Sequence, residues 1–164
     1  YGWTALLSAS KHGQLEVVVE LLKNGANLNH QSKYGSAALI WASKCGQLEV
    51  VVELLESGAD PNHQDNDGST ALIEASYNGH LEVVIELLKN GADPNIQDSR
   101  EWTALIWASE RGHLEVVVEL LENGADPNHQ NNENKTFLDY LSDDNDKTKI
   151  NELLERLSGI YIKG

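Results

Sequence analysis

The sequence predicts an all-α solenoid, a row of stacked helix–turn–helix units joined by hairpin loops. Three observations predict it. The text repeats at a fixed spacing, so that Gly13, Gly46, Gly79 and Gly112 share one phase, Gly25, Gly58, Gly91 and Gly124 a second, and Asn29, Asn62, Asn95 and Asn128 a third. Each copy holds two apolar stretches at helical spacing, each ended by one of those glycines. One copy cannot bury its own apolar surface, whereas a stack can.

The copy at 101–133, EWTALIWASERGHLEVVVELLENGADPNHQNNE, shows how each element arises. Thr103 has the hydroxyl of an N-cap, and a short helix follows it. Ala104 and Ala108 lie four apart, which leaves one face narrow enough for a close neighbour. Gly112 ends this helix. A second helix spans Leu114 to Glu122, with Leu114, Val117, Val118, Leu120 and Leu121 apolar and Glu115 and Glu119 on a solvated side. Val116 interrupts that polar side, so the helix needs cover from both neighbours. Gly124 ends it, and Asp126-Pro127 turns the chain into a polar hairpin.

This layout resembles the ankyrin repeat. The residues that carry the resemblance are Thr70-Ala71-Leu72-Ile73, Gly79-His80-Leu81-Glu82-Val83-Val84, Leu87-Leu88 and Gly91-Ala92-Asp93-Pro94-Asn95. The departures are regular. Ala5, Ala38, Ala71 and Ala104 stand where the family has Pro, and Leu7, Ile40, Ile73 and Ile106 where it has His. The resemblance implies that a hydrogen-bond bridge between units is lost there, with apolar contact in its place.

Taken in order, the units are 2–34, 35–67, 68–100 and 101–133, followed by a C-terminal cap at 134–157 and a tail at 158–164, all one domain. Tyr1-Gly2 matches Tyr34-Gly35 in phase, so the chain starts inside a unit with no polar cap before it, which reads as a piece of a longer or redesigned parent. Asn27-Leu28 replaces the usual Asp-Pro in the first unit. Glu101 replaces a glycine, and if that position has positive φ it costs about 1 kcal/mol. In the cap, 134–141 keeps phase, Ser142 to Thr148 reads as an acidic loop, and Ile150, Leu153, Leu154 and Leu157 form the apolar face of a last helix. Ile160, Tyr161 and Ile162 would order the tail.

Composition excludes several functions. The net charge is −14, with 26 acidic against 12 basic residues, so neither nucleic acid nor an anionic membrane is the ligand; a basic partner would be favoured. No apolar run reaches the length of a membrane span. The single cysteine, Cys45, precludes an intrachain disulfide, which fits an intracellular, cytoplasmic setting. Cys45 has no His and acid partners in register, so it is no nucleophile, and the chain is no enzyme. His30, His63 and His129 share a loop phase but sit about 10 Å apart in a stack, too far to share a metal. No metal and no cofactor are expected. Asn29, Asn62, Asn95 and Asn128 would hydrogen-bond their own turns; the resemblance also implies a site of hydroxylation by a factor-inhibiting oxygenase.

Differences between the copies mark the candidate site. Four phases vary: Ser8, Trp41, Glu74 and Trp107; Trp3, Ser36, Ser69 and Trp102; Lys11-His12, Lys44-Cys45, Tyr77-Asn78 and Glu110-Arg111; and Lys33-Tyr34, Asn66-Asp67, Ser99-Arg100 and Asn132-Glu133. In proteins of the family that this chain resembles, these phases line a concave groove and the loop tips where partners bind. The expected partner-binding residues are therefore Trp3, Lys11, His12, Tyr34, Trp41, Lys44, Cys45, Glu74, Tyr77, Asn78, Arg100, Trp102, Trp107, Glu110 and Arg111. Tryptophan and arginine are common interface anchors. Trp41 and Trp107 should lie about 20 Å apart with Glu74 between them, which suits an extended segment or a helix of a protein or peptide partner. The alternative for the tryptophans is packing against neighbouring helices.

The resulting reading is a monomeric protein–protein interaction module without catalysis. Two alternatives stay open: a substrate-recruiting fragment of a larger enzyme or effector, which the full length of the parent would reveal, and an engineered repeat binder or scaffold.

Overall fold

The computed structural model describes residues 2–161, with side chains through Ser158. Each unit contributes an inner and an outer helix. The inner helices are α1 Ala5–Lys11, α3 Ala38–Lys44, α5 Ala71–Asn78 and α7 Ala104–Glu110, and the outer ones α2 Leu15–Lys23, α4 Leu48–Glu56, α6 Leu81–Lys89 and α8 Leu114–Glu122. A short 3₁₀ helix, Phe137–Tyr140, and a long helix, α9 Asp144–Tyr161, close the stack. Among the described residues the only strand-like pairing is one isolated bridge, Gln97 with Thr103.

The threonine caps form as the sequence predicts. Thr4, Thr70 and Thr103 accept from the N–H groups of Leu7, Ile73 and Ile106 at 3.3, 3.2 and 3.5 Å. Helix α3 has Ala37 at its N-cap, whose methyl group cannot accept a hydrogen bond.

The core is a set of ladders, one residue per unit. Val18, Val51, Val84 and Val117 are fully buried, as are Ala42, Ala75 and Ala108 on the inner side. The alanines let the inner helices approach closely, and these pack on one another more extensively than the outer helices do. A row that is tight on one side and looser on the other curves toward the tight side, so the inner helices form the concave face. Leu7, Ile40, Ile73 and Ile106 are buried, apolar where the family pattern has histidine. Val17 is 44% exposed, whereas Val50, Val83 and Val116 of the same phase are buried. Within the outer helices, Leu87 is fully buried and Leu88 only half-buried.

Polar bridges join the units, from residues other than the missing histidines. Asn62 donates to Gly91 O (3.1 Å) and accepts from Asp93 N–H (2.8 Å), and Asn95 does the same with Gly124 O and Asp126 N–H. The expectation that these asparagines bond their own turns is corrected: Asp60, Asp93 and Asp126 close those turns by accepting from the N–H two residues on. His80 and His113 reach Lys44 O and Tyr77 O of the preceding unit at 3.1 and 3.2 Å, and Gln47 reaches Lys11 O at 3.3 Å. Glycine at the end of the inner helix makes room for them. A Cβ at Gly79 would sit 2.7 Å from the His113 ring. His30, His63 and His129 tie each hairpin back to its own unit, donating to Gly2, Gly35 and Glu101 carbonyls at 2.8 Å.

The last unit departs from the sequence expectation. Helix α9 begins at Asp144, inside the stretch 142–148 expected as a loop, and continues beyond Leu157 to Tyr161. Asp143 caps it by accepting from Asn145 N–H at 2.7 Å, and acidic side chains at a helix start are favourable. Ile150 and Leu153 are buried, Leu154 and Leu157 pack on the core, and Arg156 pairs with Glu122 at 3.2 Å. The inner helix of this unit shrinks to a 3₁₀ turn, and Leu141, in the phase of Ala42, Ala75 and Ala108, is buried just beyond its end. Tyr1, the side chains of Ile160 and Tyr161, and Ile162 lie outside the described residues.

Candidate functional site

The concave face carries two aromatic clusters, one at each end, with Glu74 between them. In the first, Trp3 and Trp41 meet at 4.9 Å between centroids. Lys11 Nζ lies 5.6 Å from the Trp3 ring and 5.3 Å from the Trp41 ring, and Lys44 Nζ is 5.8 Å from Trp41. Trp3 is 40% exposed and Trp41 half-buried.

In the second cluster Trp107 is the hub. Trp102 lies 4.3 Å from it and Tyr77 5.0 Å, edge-on. Arg100 stacks over Trp107 at 4.4 Å and Arg111 over Tyr77 at 4.0 Å. Trp107 Nε1 donates to Asp98 Oδ2 at 3.0 Å, and Asp98 Oδ1 accepts from the Arg100 and Trp102 N–H groups. Cations over ring faces fix the rings and keep them partly desolvated, the state in which such contacts are strongest.

Between the clusters runs a cleft of about 530 Å³, lined by residues that include Lys44, Asp65, Asp67, Glu74, Tyr77 and Trp107. Lys44 and Glu74 pair at 3.2 Å across its wall. Asp65 holds its hairpin as Asp98 does, accepting from Asp67 and Ser69 N–H, and also takes the Ser36 hydroxyl at 3.2 Å.

The fifteen residues singled out in the sequence differ in what they offer. Lys11, Trp41, Lys44, Glu74, Tyr77, Arg100, Trp107 and Arg111 come together as described. Trp102 is only 7% exposed and packs between Trp107 and Tyr140, so it supports the Trp107 ring and presents little surface of its own. Glu110 pairs with its neighbour Arg111 at 3.2 Å. His12 and Asn78 turn back on their own helices, bonding Ser8 O and Glu74 O at 2.8 Å. Tyr34 stands apart at a hairpin tip, 51% exposed with Lys33 over its ring. Cys45 is half-buried at the end of α3.

Sequence reading missed Asp65 and Asp98 as organisers of the site. Their signal was present: both occupy one phase, with Ser32 and Asn131 as its other members, and that phase varies between the copies. Tyr140 was also missed. It stands in the phase of Trp41 and Trp107, and accepts from Asn131 Nδ2 at 2.7 Å.

Burial, helped by Arg111 and His80, holds the His113 imidazole below its ordinary value of 6.5. Its place behind Tyr77 makes it part of the scaffold of the cleft. Among the described residues no group of three or more His, Cys, Asp or Glu is arranged to hold a metal ion, and no helix is long and apolar enough to cross a membrane.

A family model described as ankyrin repeats (3 copies) matches the chain over residues 1–65, 30–98, 49–131 and 72–163. No curated protein matches the chain.

Proposed function

The chain belongs to the ankyrin repeat family, and on that premise we propose that it binds a protein or peptide partner through the concave face and hairpin tips and catalyses nothing itself. Ankyrin repeats are generally protein–protein interaction modules, and the family is typically non-catalytic. The observation that carries the finer reading is the pair of half-buried tryptophans, Trp41 and Trp107, each with at least one cation over its ring, in an inner-helix phase that varies from unit to unit. A rigid aromatic surface loses little entropy when it is covered, which is why such residues dominate interface energetics. Recognition is then docking onto a surface that is preformed around Trp41 and Trp107, with the buried ladders beneath holding those two rings in place.

The partner is an extended or helical segment that spans both clusters, laid along the cleft beside Glu74. The chain works as a monomer. The test is capture of partners from lysate by the native chain, by Trp41→Ala/Trp107→Ala, and by Glu49→Gln/Glu82→Gln on the outer helices, each first shown to be folded by circular dichroism. Loss of a captured protein in the tryptophan variant alone is the expected result. Loss in the outer-helix variant alone would move binding to the convex face and defeat the proposal.

A further inference from the structure

The two aromatic clusters are built alike but are not equally complete. Around Trp107 each donor has an acceptor: Nε1 has Asp98, and Arg100 and Arg111 have Asp98 and Glu110. Around Trp41 two donors have none. Trp41 Nε1 is buried without a hydrogen-bond partner. Lys11 Nζ, held between the Trp3 and Trp41 rings, forms no ion pair among the described residues. The phase that supplies Asp98 supplies Ser32 here, and its hydroxyl accepts instead from Tyr34 N–H at 3.2 Å. Lys44, the other cation over Trp41, is already paired with Glu74. Lys23 and Lys89 also lack an ion pair among the described residues, but neither is held over an aromatic ring as Lys11 is.

We infer that a carboxylate side chain of the bound partner, an Asp or a Glu, takes the place beside Trp41 that Asp98 takes beside Trp107. It pairs with Lys11 and accepts from Trp41 Nε1, and Trp3, the exposed ring stacked on Trp41, gives way to admit it. A buried unpaired donor is unfavourable, and an arriving acceptor removes that penalty only in the complex. An ammonium–carboxylate hydrogen bond is of the stronger, charge-assisted kind. The inference rests on the concave face being the binding surface. It runs against the basic partner that net charge alone would favour. The local arrangement decides, because exposed charges more than about 10 Å away are largely screened at moderate salt.

The test uses a displayed random peptide library selected on the native chain. Peptides that lose binding on Tyr77→Ala or Arg100→Ala, both outside the buried core, are groove binders. The expected groove binders share an Asp or Glu at one position, and its change to Asn or Gln weakens binding about tenfold or more. On the Lys11→Gln chain, acid and amide peptides bind alike. The indole N–H proton of Trp41 shifts downfield with the acid peptide and not with its amide. Groove binders without a shared acid, or with an acid whose loss matters equally on the Lys11→Gln chain, overturn this inference and leave the groove standing as the binding surface. A library that yields no peptide sensitive to Tyr77→Ala or Arg100→Ala overturns both.

Discussion

Asp98 accepts the indole N–H of Trp107 at 3.0 Å while closing its own hairpin through the N–H groups of Arg100 and Trp102. One carboxylate thus couples the hairpin tip to the concave face. Asp98→Ala should lower stability by about 1–3 kcal/mol, the range for leaving a buried donor unpaired, read by urea unfolding. In a double-mutant cycle with Trp107→Phe the loss should shrink, because no indole donor remains; equal loss in both backgrounds would assign the whole effect to the hairpin.

Glu101 has φ 61°, in the phase where Gly2, Gly35 and Gly68 have φ 68°, 79° and 77°. A Cβ in this phase meets the following hairpin: at Gly35 it would come 2.8 Å from Asn66 N. The hairpin-to-hairpin bond is correspondingly longer beside Glu101. Asn132 N–H to Arg100 O is 3.4 Å, against 3.0 Å for Asn66 to Tyr34 and 2.9 Å for Ser99 to Asp67. Glu101→Gly should raise stability by about 1 kcal/mol, and thermal melting checks it. A fall in melting temperature would mean that the glutamate side chain supplies more than its backbone strain removes.

Helix α3 has Ala37 where its counterparts have capping threonines. Ala37→Thr should therefore stabilise by about 0.5–2 kcal/mol. Chemical denaturation reads the gain, and Thr70→Ala should give a loss of similar size in the opposite direction.

Leu87 is fully buried between neighbouring outer helices and Leu88 only half-buried. Leu87→Ala should cost about 2–5 kcal/mol. Leu88→Ala should cost clearly less, although sequence pattern alone treats the two alike. Equal losses would contradict the packing of α6 described here.

His113 has its pKa lowered below 6.5 by burial, then by Arg111 and His80. The unfolded chain therefore takes up this proton more readily than the folded one. Its contribution to stability is present above about pH 6.5 and is lost as pH falls from there through the folded value. His113→Gln should keep the bond to Tyr77 O, as Gln47 keeps the equivalent bond to Lys11 O, and should flatten the stability profile in that window. An unchanged profile would place the acid sensitivity elsewhere.

The ladders and the helix ends were legible because each is written four times, and the threonine caps because they recur in three of the four units. What the sequence hid depends on contacts between copies that differ. Trp102 is buried because Tyr140, in the degenerate last unit, covers it. Asn62 and Asn95 look like turn residues until the next unit is stacked against them. Helix α9 starts early because an aspartate-rich run that reads as a loop is also a favourable helix start. The partner-facing residues were legible as varying phases, but not their pairing: that Asp98 serves Trp107 and nothing serves Trp41 appears only when the hairpin folds over the inner helix.

The most direct test of the proposed function is hydroxyl-radical footprinting of the chain with and without a captured partner, since exposed aromatic rings react fastest. Tyr34, Trp41, Tyr77 and Trp107 should become protected on binding, while the outer helices keep their reactivity. Protection of the outer helices with unchanged aromatic reactivity would contradict recognition through the concave face.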